Sequence, residues 1–281
     1  MSISRTAYRS PRHLRRWLYA AWAVIFSLGV AWGMPAVKAD LIDLIFQGIR
    51  IIQISNLSDQ EEIELGQDIN QQILQDVNVY DNANITRYVD GIGQQLILGT
   101  ERRQIPYTFQ VIEDDGVNAF ATLGGFVYLN TGLLQTADNE AQLASVIAHE
   151  IAHVDRRHAV QQLQQAAIAQ GILTAGGLDQ SAAIALGVEL ALHRPNSRTH
   201  ELEADEAGLA LLTQAGYAPI AAVDFLQKLL DEPNATPEFL STHPHPEARI
   251  DALNERLDPA TASTGKGLDG AAYRRRIGAL W

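Results

Sequence analysis

A five-residue motif, His149-Glu150-Ile151-Ala152-His153, has the residue types and the spacing of a metal-dependent hydrolytic site. Residues four apart lie one helical turn apart on the same face, so both imidazoles can bind one ion. Glu150 projects from the next position and can take a proton from a water without binding the ion itself. The motif therefore predicts two metal ligands and a catalytic base. A surface helix that carries two histidines by chance is the alternative interpretation.

A catalytic zinc site needs a third protein ligand, and the chain offers a candidate downstream. Such sites normally use three protein ligands and leave one position for water. Because the chain has no Cys, the third ligand must be His, Glu or Asp. Glu201 and Asp205 are four residues apart and share a helix face, whereas Glu203 points elsewhere. Glu201 is the predicted ligand and Asp205 the carboxylate that orients an imidazole. Taken without the motif, these acids would be interpreted as solvated helix charges.

Three helices have recognisable starts. Apolar residues at helical spacing predict that the motif lies on a helix that begins near Asp138, the predicted N-cap. Ser197 follows Pro195 and is placed to cap the helix that contains Glu201. Ser58 and Glu61 form a capping-box pair ahead of a helix that runs to about residue 77. These starts predict the helices that must carry the metal ligands.

Strand signals are confined to a short part of the chain. Residues 107–112 alternate apolar and polar character and predict a strand. Residues 117–123 and 126–129 flank Gly124-Gly125 and predict a hairpin. From about residue 139 the pattern is mostly helical. The predicted fold is α+β and mainly helical, with a small β-sheet or hairpin beside the metal-binding helix.

Four ordered motifs resemble one family. They are His-Glu-x-x-His at 149–153, Ser-Arg-x-x-Glu-x-x-Ala-Asp at 197–205, the segment 118–134, and Ser-Thr-His-Pro-His-Pro-Glu-Ala-Arg-Ile at 241–250. Together they resemble the gluzincin metallopeptidases of the HtpX and CAAX prenyl protease type, family 48 of the metallo class, over about residues 58–257. The resemblance implies a zincin-like metallopeptidase domain and one Zn²⁺ per chain, bound by His149, His153 and Glu201. It also implies Glu150 as general base and a polypeptide substrate that is cleaved within its chain.

The Thr-His-Pro motif adds two candidate site residues. His243 stands at the family's His position, and three roles stay open: it stabilises the transition state, it blocks the open position on zinc, or it orders its loop. Arg249 either fixes that loop or pairs with an active-site carboxylate. The hairpin residues Asn118, Ala119, Phe120 and Ala121 are the candidate substrate-binding edge, against which an extended peptide would add as a strand. An ordinary core hairpin is the alternative.

The remaining histidines in the helical region are predicted to lie away from the ion. His158 is five residues past His153, about 140° round a continuous helix of 3.6 residues per turn, and is predicted to be exposed. His193 ends a helix, where an imidazolium is electrostatically favoured. His200 adjoins Glu201 but faces about 100° away from it.

The charge distribution excludes nucleic acid as a partner. The chain of 281 residues has a formal net charge of −12, while residues 1–39 contain six basic residues and no acidic one. The remaining residues therefore contain 15 basic against 33 acidic side chains, a net charge of −18, which repels phosphate. The absence of Cys also excludes thiol catalysis and disulfides.

The N-terminal residues predict export. Arginines precede an uncharged apolar run, and Val37 and Ala39 suit cleavage after residue 39. An uncleaved anchor is the alternative, because the run just reaches the length of a membrane span. Residues 41–54 are too apolar for a free surface helix, so they are either buried or lie against a membrane surface.

These features predict three parts: a signal peptide or anchor (1–39), a zinc metallopeptidase domain (40–257), and a flexible linker with a basic C-terminal stub (258–281). The predicted function is a zinc-dependent endopeptidase in the periplasm or an equivalent compartment, acting on envelope proteins in quality control or processing. The alternative function is a zinc-stabilised chaperone-like or binding module with little turnover. An intact Glu150 favours the enzyme, since a structural site needs ligands but no base.

Overall fold

A computed structural model describes residues 51–173, 177–231 and 238–281. The predictions for residues 1–39, and for most of the segment 41–54, lie outside the described residues. The described helices, in chain order, are α1 (Asp59–Asp76), α2 (Ala83–Leu96), α3 (Thr131–Thr136), α4 (Glu140–Asp155), α5 (His158–Ala169), α6 (Gln180–His193), α7 (Arg198–Gln214), α8 (Ala221–Asp231), α9 (Glu238–Thr242), α10 (Pro246–Arg256) and α11 (Gly270–Arg276). The strands are β1 (Ile51–Ile52), β2 (Thr108–Ile112), β3 (Ala119–Ala121), β4 (Phe126–Asn130) and β5 (Leu178–Asp179).

A three-stranded mixed sheet supports the site. Its order is β2-β4-β3, with β2 parallel and β3 antiparallel to β4, and Ala119 is paired with Leu129. The predicted hairpin is thus confirmed, and its turn contains Gly124 at φ 75°, which glycine adopts without strain. The short strands β1 and β5 form a separate antiparallel pair.

Helices cover both faces of the sheet. Alternate residues of β4 enter two buried apolar clusters: Val127 and Leu129 lie with residues of α2, α4 and α8, while Phe126 and Tyr128 lie with residues of α1, α5 and α6. Because successive side chains of a strand point to opposite faces, this division places the sheet between two helical layers. The predicted mainly helical α+β fold is confirmed.

Helix α4, which carries the His-Glu-x-x-His motif, runs through the centre of the fold. Every residue from Ala141 to Val154 is buried, which rules out the surface helix considered above. Its N-cap is Asn139, whose side chain accepts from the Gln142 amide, so the prediction of Asp138 was wrong by one residue. The Asp138 carboxylate instead lies 2.5 Å from the Lys228 ammonium.

Helix α7 packs directly against α4 and brings the second motif to the first. Gly208 makes this approach possible, because a Cβ atom at that position would lie 3.1 Å from the backbone N and Cα of His149. The predicted cap is confirmed, since the Ser197 hydroxyl accepts from the His200 amide. The close contact sets the distance between the ligand candidates of the two helices.

The helical conformation is interrupted between α4 and α5. Arg157 adopts φ 58°, a left-handed conformation, so α5 starts at His158 in a new direction. The Arg157 guanidinium donates to the Leu57 carbonyl at 2.5 Å, and its Nε lies 3.0 Å from the buried Glu62 carboxylate. These contacts hold Arg157 in place at the interruption between the two helices. His158 is therefore buried, and its predicted exposure, which assumed one continuous helix, is wrong.

The C-terminal residues pack on the domain instead of forming a flexible linker and stub. Tyr273 is buried and donates its hydroxyl to the Leu134 carbonyl at 2.6 Å, and Ile277 is buried beside it. The Gly267 carbonyl accepts from the amide of Ala141 near the start of α4. The Gly-rich composition that predicted flexibility instead provides tight turns: Gly265 and Gly267 both have positive φ angles.

Among the helices that the structure describes, none has the length and apolar character that crossing a membrane requires.

Candidate metal centre

The three predicted ligands converge at the contact of α4 and α7. His149 Nε2 and His153 Nε2 lie 3.0 Å apart. The Glu201 carboxylate faces both, with Oε2 at 3.4 Å from His149 Nε2 and Oε1 at 3.4 Å from His153 Nε2. All three side chains are buried. The structure thus brings together the side chains that the two sequence motifs singled out.

His243 joins the same cluster. Its Nδ1 lies 3.3 Å from His149 Nε2 and 3.2 Å from Glu201 Oε1, and its Nε2 lies 3.2 Å from the Ala119 carbonyl. The ring also stacks on Phe239, with centroids 4.4 Å apart. Each of the four side chains can offer one ligand atom within 4.8 Å of the other three.

This donor set fits a divalent metal ion. Two imidazoles and a carboxylate are the nitrogen and oxygen ligands typical of zinc. Glu201 Oε2 and both Glu150 carboxylate oxygens are buried and receive no hydrogen bond from the described residues. Arg249 Nη1 lies 2.8 Å from that Glu201 oxygen, at ion-pair distance but without hydrogen-bond geometry. Such unsatisfied buried oxygens are costly unless a cation or a proton compensates them.

Asp205 and Arg249 surround His149. Asp205 Oδ1 lies 3.0 Å from His149 Nδ1, so it can orient this ring with Nε2 towards the cluster. The Arg249 guanidinium is buried and donates to both Asp205 oxygens at 2.7 Å. It also donates to the His243 carbonyl at 3.3 Å. Both contacts predicted for Arg249, with its own loop and with a site carboxylate, are therefore present.

The pKa values of Asp205, Glu201 and His149 are set by neighbouring charges, whereas burial lowers the pKa of His153 to about 3. Burial alone would raise the pKa of Asp205, but the Arg249 charge outweighs it and lowers this pKa to about 2. Burial is likewise outweighed at Glu201, whose pKa lies well below its ordinary value beside His243 and Arg249. Burial and Arg249 oppose protonation of His149, but the neighbouring carboxylates of Asp205 and Glu201 raise its pKa to about 9. A proton and a metal ion compete for the same imidazole lone pair, so carboxylates that favour protonation of the imidazole also favour metal binding.

Glu150 lines a cavity beside the ligand cluster, together with His153 and His243. Its side chain is 1% exposed, and its Oε1 lies 3.5 Å from His243 Nε2. Burial raises the pKa of this carboxyl. The cavity, of about 40 Å³, is bordered by β3, α5 and α6, with Phe120, Ala121 and Leu190 among its lining residues.

The hairpin residues occupy different positions around this cavity. Phe120 and Ala121 line it, while the Ala119 carbonyl contacts His243. Asn118 is buried and does not line the cavity, but its Oδ1 accepts from the hydroxyl of Thr242, a lining residue, at 3.3 Å. The structure therefore places Ala119, Phe120 and Ala121 at the site, whereas Asn118 contacts it through Thr242.

Three polar residues beside His153 were not predicted as part of the site. His158 lies 2.8 Å from His153 Nδ1 through its own Nδ1, and its Nε2 lies 3.1 Å from Glu203. His200 stacks on the His158 ring. The position of His158 beside His153 depends on the left-handed residue Arg157, a conformation that Arg does not signal in a sequence. His193 ends α6, as predicted.

Comparison with known proteins agrees with this geometry. The profile of Peptidase family M48 matches residues 83–257. The beta-barrel assembly-enhancing protease of Escherichia coli K12 is 36% identical over 217 residues, which cover 71% of this chain and 45% of that protein. A putative beta-barrel assembly-enhancing protease of Vibrio cholerae is 33% identical over 240 residues, covering 79% of this chain and 49% of that protein.

A second group of relatives is mitochondrial. The mitochondrial metalloendopeptidase OMA1 of Schizosaccharomyces pombe is 32% identical over 181 residues, which cover 62% of this chain and 54% of that protein. The chain thus spans about half the length of the relatives that it matches. The family profile covers more than half of the chain, including the α4 motif, Glu201 and His243. The resemblance inferred from the sequence is confirmed: this chain belongs to peptidase family M48.

Proposed function

We propose that this protein is a zinc-dependent endopeptidase that cleaves polypeptides outside the cytoplasm. The observation that carries the proposal is the convergence of His149, His153 and Glu201, with the Glu150 carboxylate, which forms no hydrogen bond with the described residues, at the adjacent cavity. A purely structural metal site would supply the ligands but would have no use for a buried base. Membership of a peptidase family supports a polypeptide substrate.

His149, His153 and Glu201 would hold the zinc ion. When bound there, zinc supplies Lewis acidity, which lowers the pKa of a water and polarises a peptide carbonyl. Asp205 fixes the tautomer of His149 by accepting from Nδ1–H, which directs the Nε2 lone pair into the cluster. Arg249 in turn fixes Asp205 through two hydrogen bonds. Both residues act through the ligands and not on the substrate.

Glu150 is the proposed general base and acid. Its carboxylate takes a proton from the attacking water and then gives it to the leaving amine. Burial raises the pKa of the Glu150 carboxyl towards neutral pH. Its carboxylate is therefore a stronger base than an exposed one. With no hydrogen bond to another described side chain, its oxygens are free for this transfer.

Strand β3 is the proposed binding edge for the substrate. Hydrogen bonds at Asn118 and Thr122 face β4, and the alternation of an antiparallel pair then directs the amide and carbonyl of Ala119 and Ala121 the other way. The Ala119 carbonyl meets His243 on that side. An extended peptide that pairs with Ala121 would lie along the cavity in front of Glu150.

Export and an envelope substrate are part of the proposal. The basic, then apolar, N-terminal residues support export. The name of the Escherichia coli relative, beta-barrel assembly-enhancing protease, supports a role in the quality control or processing of envelope proteins. We propose the periplasm or an equivalent compartment as the location.

Glu150→Gln tests the proposed chemistry. The amide keeps the shape of the side chain and lies outside the ligand cluster, but it cannot carry the proton. We expect zinc content and fold to be retained, while casein cleavage falls by several orders of magnitude. Wild type treated with a chelator should lose activity equally, and Glu189→Gln, at an exposed position on α6, should change nothing. Activity of Glu150→Gln within tenfold of wild type would show that another group is the base.

The same variant identifies substrates. A protease that binds but does not cleave should retain its substrates when purified from envelope extracts. Recovery of polypeptides that wild type then cleaves supports the proposed substrate class. Equal binding by both proteins with no cleavage would favour the binding-module alternative.

A further inference from the structure

A chain of hydrogen-bonding groups runs from the metal cluster to the protein surface. His153 Nδ1 lies 2.8 Å from His158 Nδ1, and His158 Nε2 lies 3.1 Å from Glu203 Oε2. His158 is 1% exposed, while the Glu203 side chain is 51% exposed. Neither His158 nor Glu203 contributes an atom to the ligand cluster.

The geometry permits one arrangement of protons when His153 binds a cation. Its Nε2 faces the cluster and must keep a lone pair, so its proton lies on Nδ1. Two Nδ1 atoms at 2.8 Å can share only one proton, so His158 Nδ1 must accept. The proton of His158 is then on Nε2, from which it donates to the Glu203 carboxylate.

The ring of His158 is held from several directions. It follows the left-handed residue Arg157 at the start of α5, and it stacks on His200 with centroids 4.3 Å apart and planes 9° from parallel. His200 and Glu203 both come from α7, the helix that carries Glu201. A ring fixed in this way can select one orientation of its neighbour.

We propose that His158 is a positioning residue that holds His153 in its metal-binding tautomer and orientation, with Glu203 orienting His158 in turn. The proposal rests on the proposed metal ligation by His153. It gives the two ligand histidines different supports: a carboxylate, Asp205, contacts His149, whereas a second imidazole contacts His153. Glu203, whose helical position predicted no part in the site, thereby acts two groups away from the ion.

The test is the affinity of the full chain for zinc, measured by competition with a chromophoric chelator. Loss of a hydrogen-bond partner to a ligand histidine typically weakens metal binding about 10- to 100-fold, and we expect this for His158→Ala. His158→Gln should restore most of the affinity, because its amide can accept from His153 and donate to Glu203. His193→Ala, at the end of α6, is the matched control and should bind as wild type does.

Glu203→Ala tests whether Glu203 acts through His158. It should weaken zinc binding when His158 is present and have no further effect in His158→Ala, because Glu203 acts only through His158. Glu206→Ala, an exposed residue on the same helix, is its control. Equal effects of Glu203→Ala in both backgrounds would overturn the proposed order.

Unfolding in excess chelator separates positioning from a structural role. A structural role alone predicts that His158→Ala has a lower melting temperature but an unchanged zinc Kd at temperatures where the variant is folded. That result overturns the inference. If His158→Ala does not fold, His158→Gln and Glu203→Ala still decide the outcome through their affinities. Wild type that binds no zinc overturns the proposed function as well. Wild type that binds zinc no better than a folded His158→Ala overturns this inference alone.

Discussion

Glu150 is the residue whose position folding explains least. A carboxylate with no hydrogen-bond donor among the described residues gains nothing from burial, and the desolvation of such an ion costs several kcal/mol. The surrounding cluster shows the opposite case, since Asp205 is equally enclosed but receives two hydrogen bonds from Arg249. One carboxylate is satisfied and fixed, and the other is available to exchange a proton. The pair illustrates how environment assigns different roles to the same functional group.

His243→Ala should raise the basal cleavage of peptides. The ring lies among the ligand atoms, within 3.3 Å of His149 Nε2 and Glu201 Oε1, where it would compete with water for the open ligand position. Zinc content should persist through the other three ligands. The measurements are peptide turnover, zinc content and melting temperature, with His245→Asn as the control because Asn tolerates the left-handed φ of 64° found there.

Other outcomes of this variant have distinct meanings. Lower turnover with zinc and stability intact would contradict the blocking role and favour stabilisation of the oxyanion. A lower melting temperature, with activity in proportion to folded protein, would indicate loop ordering. No change in any readout would exclude all three roles.

At the residue scale, spacing predicted the ligands, but contacts set by the backbone were not predictable. His149, His153 and Glu201 follow from two i, i+4 patterns on helices. Asp205 follows from the same face as Glu201. His158 does not, because its position depends on Arg157, a non-glycine residue in a left-handed conformation, and the stacking of His200 on His158 could not be predicted for the same reason.

The contact between α4 and α7 is the element-scale feature on which the site depends. Helix α4 carries His149 and His153 and helix α7 carries Glu201, so the separation of the two helices determines whether the three ligands meet. Gly208 faces the His149 backbone at the closest part of this contact. Any side chain there must push the helices apart or distort one of them.

Gly208→Ala should destabilise the fold and weaken zinc binding together. Overpacking of this kind costs about 1–3 kcal/mol, and a shift of α7 would also move Glu201 away from the two imidazoles. Denaturant unfolding and zinc affinity measure the two effects. Gly91→Ala on α2 is the control, because a Cβ there meets nothing within 4 Å. The control should stabilise by up to about 1 kcal/mol through helix propensity. A stabilised Gly208→Ala with normal zinc affinity would contradict the importance of the close contact.

Helix starts could be predicted from local capping signals. Ser58 and Ser197 cap as expected, because a side chain that accepts a backbone hydrogen bond is a local signal. Asp138 and Asn139 are both good caps in adjacent positions, so the sequence could not separate them. The parallel pairing of β2 with β4 was not predicted, since it joins strands across the hairpin and depends on tertiary packing.

At the scale of the whole molecule, the C-terminal residues close the fold over the start of α4. Tyr273, Ile277 and the Gly267 carbonyl connect residues 258–281 to α3 and α4. The sequence predicted a flexible segment there because apolar anchors are few and widely spaced among Gly and polar residues. Three buried side chains, those of Ala262, Tyr273 and Ile277, and a few backbone hydrogen bonds hold it in place. The proposed boundary at residue 257 therefore separates segments and not folding units.

The charge of the whole chain leads to a prediction about export. The basic residues of 1–39 precede a strongly acidic remainder, an asymmetry typical of a cleaved targeting segment. N-terminal sequencing of protein from the cell envelope should begin at Asp40. Ala39→Leu, which removes the small residue before the cleavage point, should leave the longer form. Wild-type protein that starts near Met1 would instead indicate a membrane anchor.

Zinc content tests the central claim, one ion held by His149, His153 and Glu201, most directly. The amount of zinc per chain should be measured by elemental analysis of purified wild type and Glu201→Ala, after removal of loosely bound metal. Wild type should contain about one zinc per chain, and Glu201→Ala should lose most of it because the Glu201 carboxylate faces both imidazoles. Wild type without zinc, or equal zinc in the two proteins, would contradict the claim.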